Sequence, residues 1–323
     1  MRLTYSKYSI AHGVKRVKTK TAVALTALGL VAGGGGLSLA NLITAHATPI
    51  TTVTVTQNDL DNTSANPAVV MNDGLNKWFM YNDTTDAVDN TLGSFVVGPT
   101  TPLFNRGSAA FTLGASPNDR KNIATYRFSG TKLADIDTLF YVAYSHSGVA
   151  GANESPFLAF NVDFNGTGAW QKRLVYVPSA NMASVPQDTW NFYDAFNGGN
   201  TLWTWSGYAA NGNKWPDGNT SEYRSWNNIL ASFTGVRILP VDGWLGVRVG
   251  EPGPAGYTGN VDAFALGTST GTTIYDFEPL VQPSGKDDCK GDGWKTLVNG
   301  QNSAFKNQGA CVSYVASNGK SQH

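Results

Sequence analysis

The sequence is short of charge, histidine, cysteine and glutamate, and each shortage closes off chemistry. Of 323 residues only 14% are charged, with 23 Lys+Arg against 23 Asp+Glu. The balance is uneven: residues 1–47 carry six bases (Arg2, Lys7, Lys15, Arg16, Lys18, Lys20) and no acid, so the remainder has 17 bases against 23 acids. An acidic remainder without a basic stripe excludes nucleic acid as the expected partner, because phosphate contacts need clustered Lys and Arg. Histidine occurs four times, at 12, 46, 146 and 323, and cysteine twice, at 289 and 311. Those numbers do not furnish a zinc site beside paired cysteines.

Catalytic patterns are equally sparse. The four glutamates, Glu154, Glu222, Glu251 and Glu278, form no recognisable pair for glycoside hydrolysis, which needs two carboxyls flanking the sugar bond. Gly267-Thr268-Ser269-Thr270-Gly271 has the G-x-S-x-G spacing of a nucleophile elbow. An elbow needs a helix after the serine and a histidine downstream, whereas both flanking runs here are strand-like. The segment is read as a hairpin loop. Cys311, in the run KNQGACVSY, has no distant histidine after it to make a thiolate. No enzyme is expected; a glycosidase acting through Glu222 or Glu251 is the one enzyme class kept open.

Only one apolar run approaches membrane length. Residues Thr21 to Ala32 (TAVALTALGLVA) follow the basic segment, and Ala45-His46-Ala47 supplies a small-x-small cleavage site. Residues 1–47 are therefore expected to be a secretory signal peptide, the alternative being an uncleaved anchor. No membrane span is expected after cleavage. In an exported protein two cysteines are expected to pair, so Cys289–Cys311 would close a loop of about two dozen residues and contribute roughly 3 kcal/mol.

What is abundant is β-type sequence and turn formers. Short alternating runs recur from Trp78 to Phe277, beginning with WFMY at 78–81, SFVV at 94–97 and AAFTL at 109–113, and separated by Gly, Pro, Asn and Asp. ITTVTVT at 50–56 adds an edge strand. Strands at this spacing, without intervening helical patterns, predict an all-β sandwich or barrel. One short helix is expected at Ser225–Ser232, with Ser225 as N-cap. The expected organisation is an N-terminal strand and polar linker at 48–77, a sandwich at 78–278, a linker at 279–287 and a small disulfide-closed tail at 288–323.

The unusual stretch is 189–227, with ten aromatics in 39 residues interleaved with Asn-Gly and Pro-Asp-Gly turns. It reads as a loop-rich excursion from the sandwich, and long loops of this kind carry function. Trp203, Trp205, Tyr208, Trp215 and Asp217 are the candidate ligand-binding residues: aromatic faces would stack on sugar rings and the aspartate would take hydroxyls. Trp215, in the turn NKWPDG, is expected to be exposed. Core packing is the competing reading for every tryptophan in a β-protein. Asp83, Asp86 and Asp89 offer oxygens to a structural calcium, although aspartate is also common in turns. No cofactor is otherwise expected.

The segments Gly98-Pro99, Gly107-Ser108-Ala109 and Gly256-Tyr257-Thr258-Gly259-Asn260-Val261-Asp262-Ala263-Phe264 resemble those of jelly-roll, lectin-like or carbohydrate-binding domains of secreted bacterial proteins. The tail from Cys289 to Val315 (CKGDGWKTL…FKNQGACVSYV) is similar to a short C-terminal motif of secreted proteins from Gram-positive-type bacteria. The resemblance implies a jelly-roll β-sandwich and sugar binding and transfers no site residue. The expectation is a secreted or cell-wall-associated protein that binds a glycan or cell-wall polymer without catalysis. The alternative is a structural or adhesive surface protein.

Overall fold

The computed structural model describes residues 49–61, 77–116, 119–147, 155–250, 255–300 and 303–319. The chain divides into two units, Met1–Ala47 and Thr48–His323, and every described residue lies in the second. The expected signal segment and its cleavage site, Glu154, Glu251 and His323 lie outside the described residues.

Sixteen strands and three α-helices follow one another among the described residues. The first half holds β1 (Ile50–Val55), β2 (Trp78–Asn82), β3 (Ala87–Val88), β4 (Gly93–Val97), β5 (Gly107–Thr112), β6 (Arg120–Thr125), β7 (Ile136–Ser145) and β8 (Phe157–Asp163). The middle adds β9 (Arg173–Tyr176), α1 (Pro178–Asn181), β10 (Trp190–Asp194), β11 (Leu202–Trp205), β12 (Arg224–Ser225) and α2 (Trp226–Ser232). β13 (Arg237–Ile238), β14 (Leu245–Gly250), β15 (Thr258–Thr268), β16 (Gly271–Phe277) and α3 (Gln308–Ala316) complete it. The G-x-S-x-G segment is the hairpin between β15 and β16, as its strand-like flanks require.

The strands form two sheets, one of seven and one of nine. In the first, β15 pairs with β7 along one edge; on the other edge β16 pairs with Ala263–Thr268 and β5 with Thr258–Val261. Two strands therefore meet end to end on the same side of β15, and Asp262 sits between them, at a β-bulge against β7. The second sheet runs β12-β11-β9-β8-β14-β6-β2-β3, with β13 also on β8. Alternation decides what each face buries. Trp78 and Met80, Ile123, Leu158 and Phe160, Leu174 and Tyr176, Leu245 and Val247 all enter the main core, where they meet Tyr141, Phe264, Tyr275 and Phe277 of the first sheet. Trp78 sets its ring edge-on to Phe264, Tyr275 and Phe277 at centroid distances of 6.0, 5.3 and 4.9 Å. The result is a β-sandwich.

The 189–227 stretch departs from the loop-rich reading. It contains β10, β11, β12 and α2, whose N-cap is Ser225, its side chain accepting from the Asn228 amide as expected. The expectation of one helix is also corrected, because α1 precedes β10 and the tail carries α3. Asn307 caps α3 by accepting from the Ala310 amide, and Cys311 on it bonds to Cys289 with Cα atoms 5.7 Å apart. The tail has a small core of its own, Cys289, Leu297, Phe305, Cys311 and Tyr314.

Candidate functional site

The aromatic residues singled out in 189–227 do not form a platform. Trp203 and Trp205 alternate onto the same face of β11, and that face is the inter-sheet core: Trp203 is 0% exposed and packs on Phe160, Tyr176 and Trp226. Trp215, expected at the surface, is also 0% exposed. Its turn folds back so that its Nε1 donates to Ser221 O at 2.7 Å and its ring lies against Phe164 and Trp205. The indole N–H groups of Trp203 and Trp205 go to Ala195 O and Gln171 O. Hydrogen-bonding capacity a sugar would need is already satisfied by backbone carbonyls. Tyr208 is half-buried and donates to Thr220 O. Asp217 pairs with Arg224 at 2.8 Å, and the guanidinium lies over the Trp215 ring at 5.1 Å. Burial pushes the Asp217 carboxyl up, but the Asn219 amide and Arg224 hold it below its ordinary value. The physical reason for the correction is area: four indoles bury more apolar surface inward than any turn can offer outward.

The aspartate triplet does not gather around a cation either. Asp83 accepts from two arginines, Asp86 from the Tyr81 hydroxyl, and Asp89 from the amide and hydroxyl of Thr91. Among the described residues no group of three or more His, Cys, Asp or Glu stands where it would hold a metal ion. Glu222 is exposed on its loop beside the Tyr223 hydroxyl.

What the structure does assemble lies on the outer face of the second sheet. Residues that alternate away from the main core there are Phe79 and Tyr81 on β2, Ala124 on β6, Ala159 on β8 and, just before β14, Trp244, a second apolar layer completed by Val88 and Tyr126. Into this layer project Arg173 from β9 and Arg248 from β14. Asp83, at the end of β2, receives Arg173 Nη1 and Nη2 at 2.8 and 2.7 Å and Arg248 Nη2 at 2.7 Å. Each arginine sends its Nε to an asparagine opposite it in the ladder: Arg173 to Asn161 at 3.1 Å, Arg248 to Asn122 at 3.0 Å. Burial pulls the Arg248 guanidinium down to about 10 while Asp83 opposes it, so it remains a cation at neutral pH.

The guanidinium planes and rings form a ladder. Arg173 lies 5.9 Å from the Trp170 ring and 5.0 Å from that of Trp244; Arg248 lies 6.0 Å from Trp244 and 5.7 Å from Phe157. The contacts with buried Trp244 are desolvated and contribute on the order of 1–2 kcal/mol each, whereas the one with half-exposed Trp170 is weak. At one end the ladder reaches solvent. Trp170 is 50% exposed, the most exposed of the described tryptophans, and Lys172 Nζ stands 4.9 Å from its ring. Elsewhere on this face Asp242, whose carboxyl burial pushes up, accepts from the Tyr126 hydroxyl at 3.0 Å, and Trp244 Nε1 is buried with no hydrogen-bond partner.

None of Trp170, Arg173, Trp244 or Arg248 was singled out by the sequence. The available signal was a polar residue at the off-core parity of an apolar strand, in FLAFNVDF, RLVYV and WLGVRV. Comparison of the chain with protein-family models, with characterised proteins and with solved structures finds no match.

Proposed function

We propose that this is an extracellular, non-catalytic glycan-binding protein with a jelly-roll sandwich, which takes sugar at the Trp170 end of the outer face of its second sheet. One observation carries the reading: a half-exposed indole, with Lys172 and Arg173 beside its ring, terminates a ladder of alternating rings and guanidinium groups. Sugars are bound by a flat apolar face next to a few fixed polar groups, and rigidity there lowers the entropy lost on binding. The disulfide fits an oxidising compartment. Retention of Thr48–His323 on insoluble glycans and bacterial walls is expected, with at least tenfold loss in Trp170→Ala and no loss in Trp215→Ser variants that remain folded.

A second reading, a structural or adhesive surface module, is favoured by a different observation: Arg173, Arg248 and Asp83 are already paired within the chain. If no glycan retains the protein or raises its melting temperature, the ladder is a structural device and that second reading replaces the first.

A further inference from the structure

The second feature without an assigned role lies where β16 and β5 meet end to end on β15. Three acids are buried there, Asp262 on the bulge of β15, Asp276 on β16 and Glu278 just beyond it, each 0% exposed. Asp276 alternates with the core residues Tyr275 and Phe277, so it stands on the outer face of the first sheet. The loop of residues 98–106, between β4 and β5, is fastened over the acids. Phe104 N donates to Asp262 Oδ2 at 2.9 Å, Asn105 Nδ2 donates to Asp276, and Arg106 N donates to Glu278 Oε1 at 3.0 Å, joined there by Gly107 N at 2.8 Å. At its other end the loop is tied by Trp190 Nε1, which donates to Pro99 O at 2.8 Å, and by the Ser108 hydroxyl, which donates to Gly98 O. Between these ties Thr100 is held at φ 50°, a left-handed conformation that a β-branched residue keeps only when its surroundings impose it.

In each acid the second oxygen, Asp262 Oδ1, Asp276 Oδ1 and Glu278 Oε2, is buried with no hydrogen-bond partner. The surrounding elements supply little charge to answer them. β1, β4 and β5 carry no charged residue, and β15 and β16 carry only Asp262 and Asp276. The β7 residues beside the bulge, Val142 and Ala143, are apolar. On the loop, Arg106 Nε stands 4.0 Å from Glu278 Oε2, beyond hydrogen-bonding reach, and also acts on Asp288. The tail charges near Glu278 are engaged with one another or with backbone: Lys290 with Asp287 at 2.7 Å, Lys295 with Asp292 at 3.0 Å, and Asp288 with Ser284 and Gly285. Three buried carboxylates beside one arginine cannot all be ionised. Amide donors favour the charged form, and Glu278, with two amides and the arginine, is the acid best supplied to carry a charge. Burial first, then the neighbouring acids, push Asp262 up to about 9 and Asp276 up to about 7.

We propose that residues 98–106 are a proton-operated flap, closed over the outer face of the first sheet while Asp262 and Asp276 hold their protons and lifted when both ionise. Lifting hydrates the three unpartnered oxygens, frees the Trp190 N–H and lets Thr100 leave its constrained φ. The closed form is favoured fully below about pH 4, and that preference is lost as pH rises through about 7 for Asp276 and about 9 for Asp262. The flap belongs to the first sheet, and the proposal does not rest on the glycan reading of the second.

The test is amide hydrogen exchange of Thr48–His323 at pH 5 and pH 9, corrected for base catalysis of the exchange itself. Protection of the Phe104 and Arg106 amides is expected to fall at least a hundredfold between the two. At pH 9 those amides are expected to exchange at least tenfold faster than Ile123 and Val247 on the central strands β6 and β14, because the flap opens without unfolding the sandwich. Asp262→Asn/Asp276→Asn, whose amides cannot ionise, is expected to keep Phe104 protected at pH 9. Asp276→Asn alone is expected to shrink the fall at least tenfold, which keeps the test decisive should the double variant not fold. Unchanged Phe104 protection in the parent protein, equal exchange of Phe104 and Ile123 at pH 9, or a fall of the parent's size in either variant would each overturn the proposal.

Discussion

Two clusters of buried acid lie in this sandwich, and the fold neutralises them by opposite means. Asp83 on the second sheet is surrounded by guanidinium groups: Arg173 and Arg248 bond to it, and Arg120 Nη1 stands 3.8 Å away. Asp262, Asp276 and Glu278 on the first sheet have one arginine at 4.0 Å and otherwise neutral donors, the Phe104, Arg106 and Gly107 amides and the Asn105 side chain. Burial first, and then the neighbouring acids, push Asp262 up to about 9 and Asp276 up to about 7; burial also raises Glu278. One cluster is held by fixed charge, the other by protons. A charge-paired cluster is insensitive to pH near neutrality but fails when a partner is deleted, whereas a proton-held cluster tolerates deletion and responds to pH.

The largest expected effect breaks the first cluster. Asp83→Ala strands arginines that are at most a third exposed, and breaking a buried pair by removing one partner costs about 3–5 kcal/mol. Urea unfolding of the variant measures it. In the second cluster Asp276→Asn is expected to be neutral or stabilising at pH 8, because an amide replaces a carboxyl that charges there against its neighbours. A loss below 1 kcal/mol in Asp83→Ala, or above 3 kcal/mol in Asp276→Asn, would erase the distinction.

The intermediate effect is pH. A carboxyl whose folded value lies above its unfolded one keeps its proton longer in the native state, so its contribution is fully present below about pH 4. That contribution is lost as pH rises through about 7 for Asp276 and about 9 for Asp262. Each such proton gives a slope of at most about 1.4 kcal/mol per pH unit. Asp89 and Asp288, held below their ordinary values mainly by hydrogen bonds from Thr91 and Ser284, act in the opposite sense, losing stability only in acid. Stability is therefore expected to fall between about pH 4 and 9, most steeply up to about pH 7 where both groups contribute, with Asp262→Asn flattening the upper part of that fall. A flat profile in the parent protein would show that the acids are not held by protons.

The strands were legible because each is an alternating run bounded by turn formers, and the runs read from Trp78 onward overlap strands, although IATYRF leaves its strand after Thr125. Ser225 could be read as a cap because its signal is local. The site was not legible, because it depends on register. Arg248 opposite Asn122, and Arg173 opposite Asn161, become neighbours only once β14 has paired with β6 and β9 with β8. Nothing in RKNIATYRF or WLGVRV states that pairing. The aromatic wealth of 189–227 was visible, but composition does not carry the direction of a side chain. β10 and β11 turned those rings inward, and a less conspicuous tryptophan, Trp170, reached solvent.

The smallest expected effect on stability sharpens the comparison from the exposed end of the arginine network. Trp170 is half in water and meets the network at Arg173, 5.9 Å from its ring, so Trp170→Ala is expected to change unfolding free energy by no more than about 0.5 kcal/mol. Trp244, buried between the two arginines, should lose about 3–5 kcal/mol on the same substitution. If the ladder serves the exposed ring, as the glycan reading requires, the order reverses for sugar retention: Trp170→Ala abolishes it while the protein stays folded. A Trp170→Ala variant as destabilised as Trp244→Ala would mean that the indole props up the network from outside. Its exposure would then be incidental to binding, and the structural reading of this face would be the better one.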